Sequence, residues 1–287
     1  MTVREGAIGV VLMAHGTRSQ AGLAETRRLA DAVANLLPEH RCELGFIELA
    51  EPTLDEALAS ASAGATKVVA VPLVLWAAGH MKSDCAGAVA RSRQGHKTTE
   101  IIYARGIGTH PTILGLLASR ARQALSRLEG EGRQAVVLVG RGSSDPDANA
   151  EMFRVARLAE EPFSLPNTEA AFVSLASPGV PEALSRAAAL GAREIAVVPY
   201  FLFDGLLVGR IREQALRWAE QAGVRVEVAA HLGPEAEVAE VVVERLEQAL
   251  AGGLDPLCDL CAFRVPLPGQ GHLHHAPLPV LGGGHSH

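Results

Sequence analysis

Aromatic residues are scarce in this chain. Phe, Trp and Tyr make up 4% of its 287 residues, so any core must be built mostly from Ala, Val and Leu. Cysteine is rare too. Four in a chain this long do not make a disulfide scaffold, and a reducing cytoplasm is the expected setting. No apolar run reaches the roughly 18 residues that a membrane helix needs, so no membrane association is expected. The N-terminus lacks a charged segment followed by a long apolar one, which argues against a signal peptide. There is no basic run, and the net charge of −6 is mild, so nucleic acid is not an expected partner. An anionic substrate would have to be attracted locally.

What is present is hydrophobic periodicity. Ile8 to Ala14 is an apolar run ending in His15-Gly16-Thr17, which predicts a buried strand and a tight turn. Ala21 to Leu37 carries Leu23, Leu29, Ala30, Val33 and Leu37 near a 3.6-residue period and predicts a helix, closed by Pro38. Cys42 to Ile47 reads as a second strand with Glu48 at its end, and a helix follows from Pro52 and Leu54 to about Ser62. Val68 to Leu75 is the third strand, and it runs into Gly79-His80. A helix then extends to about Arg93, Glu100 to Tyr103 is a fourth strand, and Pro111 opens a helix that lasts to Leu128. Such alternation predicts a parallel sheet covered on both faces.

The pattern then repeats. Val10 to Thr17 is matched by Val136 to Ser143, an offset of 126 (141 − 15). Gly45 to Pro52 is matched by Ala171 to Pro178, again 126 (174 − 48). Gly64-Ala65 and Val71-Pro72 pair with Gly191-Ala192 and Val198-Pro199 at 127, and Ile107-Gly108 with Leu232-Gly233 at 125. Ordered matches that drift by a single residue identify an internal duplication. The expected architecture is α/β, with two Rossmann-like halves, each a mostly parallel four-stranded sheet flanked by helices. The halves are 1–128 and 132–252, joined by the polar segment 129–133. Residues 253–287 are rich in Pro, Gly and His without periodicity and are expected to be a loose tail.

His15, Glu48 and His80 each follow a different strand of the first half, at intervals of 33 (48 − 15) and 32 (80 − 48) residues. Three parallel strands would bring them to the C-terminal edge of one sheet, where open α/β sheets hold their ligands. The second half carries Arg141, Ser174 and Leu207 instead, whereas Pro72 and Pro199 are shared. A core requirement would have been kept in both copies, so the trio reads as functional. Two imidazoles and a carboxylate suit a borderline divalent metal such as Co2+, Fe2+, Ni2+ or Zn2+, and they suit proton abstraction near neutral pH. No His-Glu-x-x-His motif supports a metallohydrolase. Ala14, not Arg, precedes His15, which weakens a phosphohistidine phosphatase.

These residues resemble a known family, the sirohydrochlorin chelatases of the CbiX type. The resemblance rests on Ala14-His15-Gly16-Thr17-Arg18, on Phe46-Ile47-Glu48 with Glu51-Pro52, and on Val71-Pro72-Leu73 followed by Gly79-His80. It covers about residues 8–250, in the long two-half form. It implies ATP-independent insertion of Co2+ or Fe2+ into sirohydrochlorin, in a cleft between two class II chelatase halves. His15 and His80 would be the metal-binding and proton-accepting pair, with Glu48 as the acidic partner. Two pyrrole protons must leave as the metal enters, and unprotonated imidazole is needed, so activity is expected to fall below about pH 6.5. The substrate carries many carboxylates, for which Arg18, Lys82, Arg105, Arg141 and Arg210 are candidates. Arg141 stands out because it occupies the place of His15 in the second half.

Cys258-Asp259-Leu260-Cys261 is half of a four-ligand site. The resemblance implies an iron–sulfur motif here, with Pro256 where the family has Met; a homodimer would pool two such pairs. His272, His274, His275, His285 and His287 suit metal buffering. Cys42, in a strand, and Cys85, in a helix, are expected to be core or lining residues. A non-catalytic metal or tetrapyrrole carrier is the competing reading, and a redox protein is weakened by the lack of a Gly-x-Gly-x-x-Gly fingerprint after the first strand. The long form with its His-rich tail favours cobalt and cobalamin biosynthesis over iron and sirohaem.

Overall fold

The computed structural model describes residues 8–76, 81–128 and 130–252, without the side chains of Met81 and Lys82. The first half runs β1 (Gly9–Ala14), α1 (Gln20–Leu36), β2 (Arg41–Phe46), α2 (Leu54–Ser62), β3 (Lys67–Pro72), a π-helical turn (Met81–Cys85) leading into α3 (Ala86–Gly95), β4 (Glu100–Tyr103) and α4 (Pro111–Leu125). The second runs β5 (Gln134–Gly140), α5 (Pro146–Phe163), β6 (Thr168–Phe172), α6 (Val180–Ala189), β7 (Glu194–Pro199), α7 (Leu206–Ala222), β8 (Arg225–Val228) and α8 (Ala236–Leu250). Local chemistry sets the helix starts. Ser19 Oγ accepts the Gly22 N–H at 3.2 Å to open α1. Thr53 and Glu56 form a reciprocal capping box at α2.

Two four-stranded parallel sheets result, in the orders β2-β1-β3-β4 and β6-β5-β7-β8. The α/β fold with two parallel sheets is therefore as the sequence indicates. Two boundaries differ by three residues: α4 ends at Leu125 and not at the expected Leu128 (128 − 125), and the third strand is also shorter. β3 stops at Pro72, three residues before the expected Leu75 (75 − 72). Its neighbour β1 has ended by then. Leu73 N–H makes the last rung, to Met13 O at 2.8 Å, and Val74 O turns to accept from Gly108 N–H at 3.2 Å.

Side chains alternate along the strands, so each sheet feeds two cores. In β1, Val10, Leu12 and Ala14 face a core shared by both halves, and Val11 and Met13 face an outer core under α2 and α3. In β5, Val136 and Leu138 join the shared core, while Val137 and Val139 face α6 and α7. The helices of the shared core are exchanged. α4 follows β4 in sequence but packs on β7 and β8, and α8 follows β8 but packs on β3, β4 and α1. Among the described residues, no helix is long and apolar enough to cross a membrane.

Candidate active site

The turn after β1 and the loop after β2 are locked together by backbone. Ile47 N–H donates to Ala14 O at 2.9 Å, and Glu48 N–H donates to His15 O at 3.1 Å. The β2–α2 loop closes on itself, since Phe46 N–H donates to Pro52 O at 2.9 Å. Gly16 is required where it stands. Its φ is +92°, and a Cβ there would lie 1.8 Å from the Glu48 carbonyl oxygen. This close approach brings the side chains of His15 and Glu48 side by side. His15 Nε2 lies 3.4 Å from Glu48 Oε1, with side chains 37% and 54% exposed. That is an ion pair when the imidazole is protonated, and it leaves both groups accessible to a ligand.

The third member, His80, lies outside the described residues. The topology places its strand, β3, directly beside β1 and opposite β2. The strands that precede His15, Glu48 and His80 are thus three neighbours in one sheet.

The second half repeats the backbone with Arg141 and Ser174 in place of His15 and Glu48. Val173 N–H donates to Gly140 O at 2.9 Å and Ser174 N–H to Arg141 O at 3.0 Å, and a Cβ on Gly142 would lie 1.9 Å from Ser174 O. Both loops contain a cis proline bond, Glu51–Pro52 and Ser177–Pro178. Both put a leucine in the left-handed region, Leu49 at φ 64° and Leu175 at φ 61°. For a residue with a Cβ this conformation costs roughly 1–2 kcal/mol.

Arg18, Arg105, Arg141 and Arg210 are exposed. Arg18 precedes α1, Arg141 follows β5, Arg105 follows β4, and Arg210 is in the first turns of α7. Each therefore stands near the C-terminal edge of its sheet. The Lys82 side chain, Cys258, Cys261 and the tail histidines lie outside the described residues. Cys42 is half-buried and Cys85 buried, as expected. Burial, and then Glu43, pushes the Cys42 thiol up to about 11. Burial pushes Cys85 up to about 12, against a hydrogen bond from Tyr103 that lowers it. Neither is a thiolate at neutral pH.

The two C-terminal edges meet, and sequence reasoning missed the residues that join them. Trp76, past β3, stacks on Tyr200, past β7, with ring centroids 5.0 Å apart. Gly140 makes room, since a Cβ there would lie 2.9 Å from the indole. Tyr200 is 2% exposed, and burial drives its phenol pKa up. Glu25 on α1 accepts the Asp204 N–H at 2.6 Å and lies 2.9 Å from His231 Nε2, tying the halves together. Glu151 on α5 does the reciprocal, accepting from the Thr109 hydroxyl of the first half. The repeat offset of 126 (151 − 25) was the signal that could have revealed that pair.

The model of a protein family described as CbiX matches residues 9–124 and 135–249, one match per half. A sirohydrochlorin cobaltochelatase of Priestia megaterium is 30% identical over 273 residues, covering 93% of this chain and 87% of the relative. A sirohydrochlorin ferrochelatase of the same organism is 28% identical over 206 residues, covering 71% and 77%. The solved structure of SirB from Bacillus subtilis with Fe3+ superposes with a TM-score of 0.74 at 25% identity, covering 86% of this chain and 97% of that one.

Proposed function

The chain belongs to the CbiX family, and on that premise we propose that it is a sirohydrochlorin chelatase, inserting a divalent metal into the tetrapyrrole without ATP. The observation that carries this reading is the His15–Glu48 pair, held at 3.4 Å past the adjacent strands β1 and β2, with β3, the strand that leads to His80, on the other side of β1. The macrocycle gives up two pyrrole protons and takes up one divalent cation. His15 and His80 hold the incoming metal through neutral imidazole nitrogens. Glu48, more than half exposed, accepts protons and passes them to solvent. Arg141 replaces His15 in the second half and, with Arg18, Lys82, Arg105 and Arg210, binds the substrate's carboxylates. Cobalt is the favoured metal, supported by the long two-half form and the His-rich tail. The similarity to an iron chelatase of the same organism keeps Fe2+ as the second reading. The proposed setting is the cytoplasm. An iron–sulfur cluster at Cys258 and Cys261 is what the family resemblance implies, and both residues lie outside the described residues.

The test is anaerobic incubation of the full chain with sirohydrochlorin and either Co2+ or Fe2+, followed by tetrapyrrole absorbance. Multiple turnovers that vanish in His15→Ala and His80→Ala are expected, faster with cobalt. Tight binding without acceleration would leave only a carrier.

A further inference from the structure

Leu49 and Leu175 break two local rules at once, and they break them in equivalent places, 126 residues apart (175 − 49). Each sits in the left-handed region that glycine or asparagine adopts with less strain. Each also exposes a large apolar side chain to water, 48% for Leu49 and 69% for Leu175. Other exposed leucines lack this combination: Leu36 and Leu216 lie within helices, and Leu190 caps α6 at φ −78°. Nothing in the loop itself calls for leucine. The loop is held by backbone hydrogen bonds at Phe46–Pro52 and Phe172–Pro178, both 2.9 Å, which need no side chain at its tip. When a position opposes both its backbone and its solvent, the compensation lies in something it binds.

The place says what that is. Leu49 directly follows Glu48, and Leu175 directly follows Ser174, the residue that stands where Glu48 does. The Trp76–Tyr200 stack brings the C-terminal edges of the two sheets together. On the second half, Leu206 opens α7 at 87% exposure and precedes Leu207, the counterpart of His80. Apolar side chains therefore stand at the C-terminal edges of both halves, Leu49 beside Glu48 and Leu175 and Leu206 on the second half, while Arg18, Arg105, Arg141 and Arg210 at these edges are exposed. A flat macrocycle with apolar faces and a carboxylate rim matches that division.

We propose that Leu49 and Leu175 are apolar jaws that grip opposite margins of the tetrapyrrole ring and set its depth over His15. The inference rests on the chelatase reading. It assigns the apolar part of substrate recognition to a symmetric pair, although the chemistry is confined to one half.

Glycine substitution separates this role from a structural one. Leu49→Gly and Leu175→Gly relieve the backbone strain and remove side chains that are 48% and 69% exposed, so Tm should hold or rise. A leucine that stabilised the fold would lower it. KM for sirohydrochlorin should rise about tenfold in each, the scale of losing a partly buried leucine, and by more than kcat falls. Leu49→Met should restore most of the affinity. Binding of Co2+ alone should be unchanged. If the wild type turns over and both glycine variants keep its KM, the jaws are overturned while the chelatase stands. If the wild type neither binds nor metallates sirohydrochlorin, both fall. If the variants change only the oligomeric state by light scattering, the leucines belong to a contact between two copies of the chain and the proposal is overturned.

Discussion

Arg120 and Arg245 stand 125 residues apart (245 − 120), and each holds the loop that leads into the other's helix. Arg245, on α8, donates to Gly106 O at 3.1 Å and to Ile107 O at 2.8 Å, just ahead of α4. Arg120, on α4, donates to His231 O at 3.2 Å and to Leu232 O at 3.4 Å, just ahead of α8. Two exchanged helices are thus fixed by one interaction used twice. Arg245 is 7% exposed, and burial followed by the nearby Arg105 lowers its pKa.

Losing Arg245 would leave buried carbonyls without donors. Arg245→Met should destabilise the protein by about 2–3 kcal/mol, and Arg120→Met, which is more exposed, by about 1 kcal/mol. Urea unfolding monitored by circular dichroism measures both. Equal and negligible losses would mean that apolar packing alone holds the exchange.

The helix exchange also predicts how the chain behaves when cut. A fragment of residues 1–128 keeps α4 but lacks the sheet it covers, and its own sheet lacks α8. It should form dimers or aggregates by size-exclusion with light scattering. Co-expression with residues 132–252 should restore a soluble one-to-one complex.

Gly16 and Gly142 offer a matched comparison. A Cβ at either would meet a carbonyl oxygen at under 2 Å, 1.8 Å for Gly16 and 1.9 Å for Gly142. Gly16→Ala and Gly142→Ala should therefore lower Tm by similar amounts. Only the first would separate His15 from Glu48, so kcat should fall about a hundredfold in Gly16→Ala and far less in Gly142→Ala. The anaerobic metal-insertion assay reads both.

The thiols give a prediction about pH. The folded values, about 11 for Cys42 and about 12 for Cys85, are both raised, chiefly by burial, so the thiolates are scarce below those values. In a Cys258→Ser/Cys261→Ser background, iodoacetamide at pH 7.5 should neither modify the protein within an hour nor reduce its activity. Rapid alkylation by mass spectrometry would show that β2 or α3 opens readily.

Much of this protein was legible as text. Period-2 and period-3.6 patterns located the strands and helices, because burial of one face imposes that spacing whatever the tertiary contacts are. The duplication was visible as ordered matches at offsets of 125 to 127 residues, and the unequal retention of His15 and Glu48 against Arg141 and Ser174 set the two halves apart. The last rung of β3 was not legible, since it depends on where β1 ends. Nor was the reach of α4 and α8 across the molecule: amphipathic helices declare that they have an apolar face, not which sheet will cover it. Trp76 meeting Tyr200 and Glu25 meeting His231 depend on the same docking. Local periodicity reports on each element's own burial, whereas pairing across 100 or more residues is decided only when two sheets compete for the same helices.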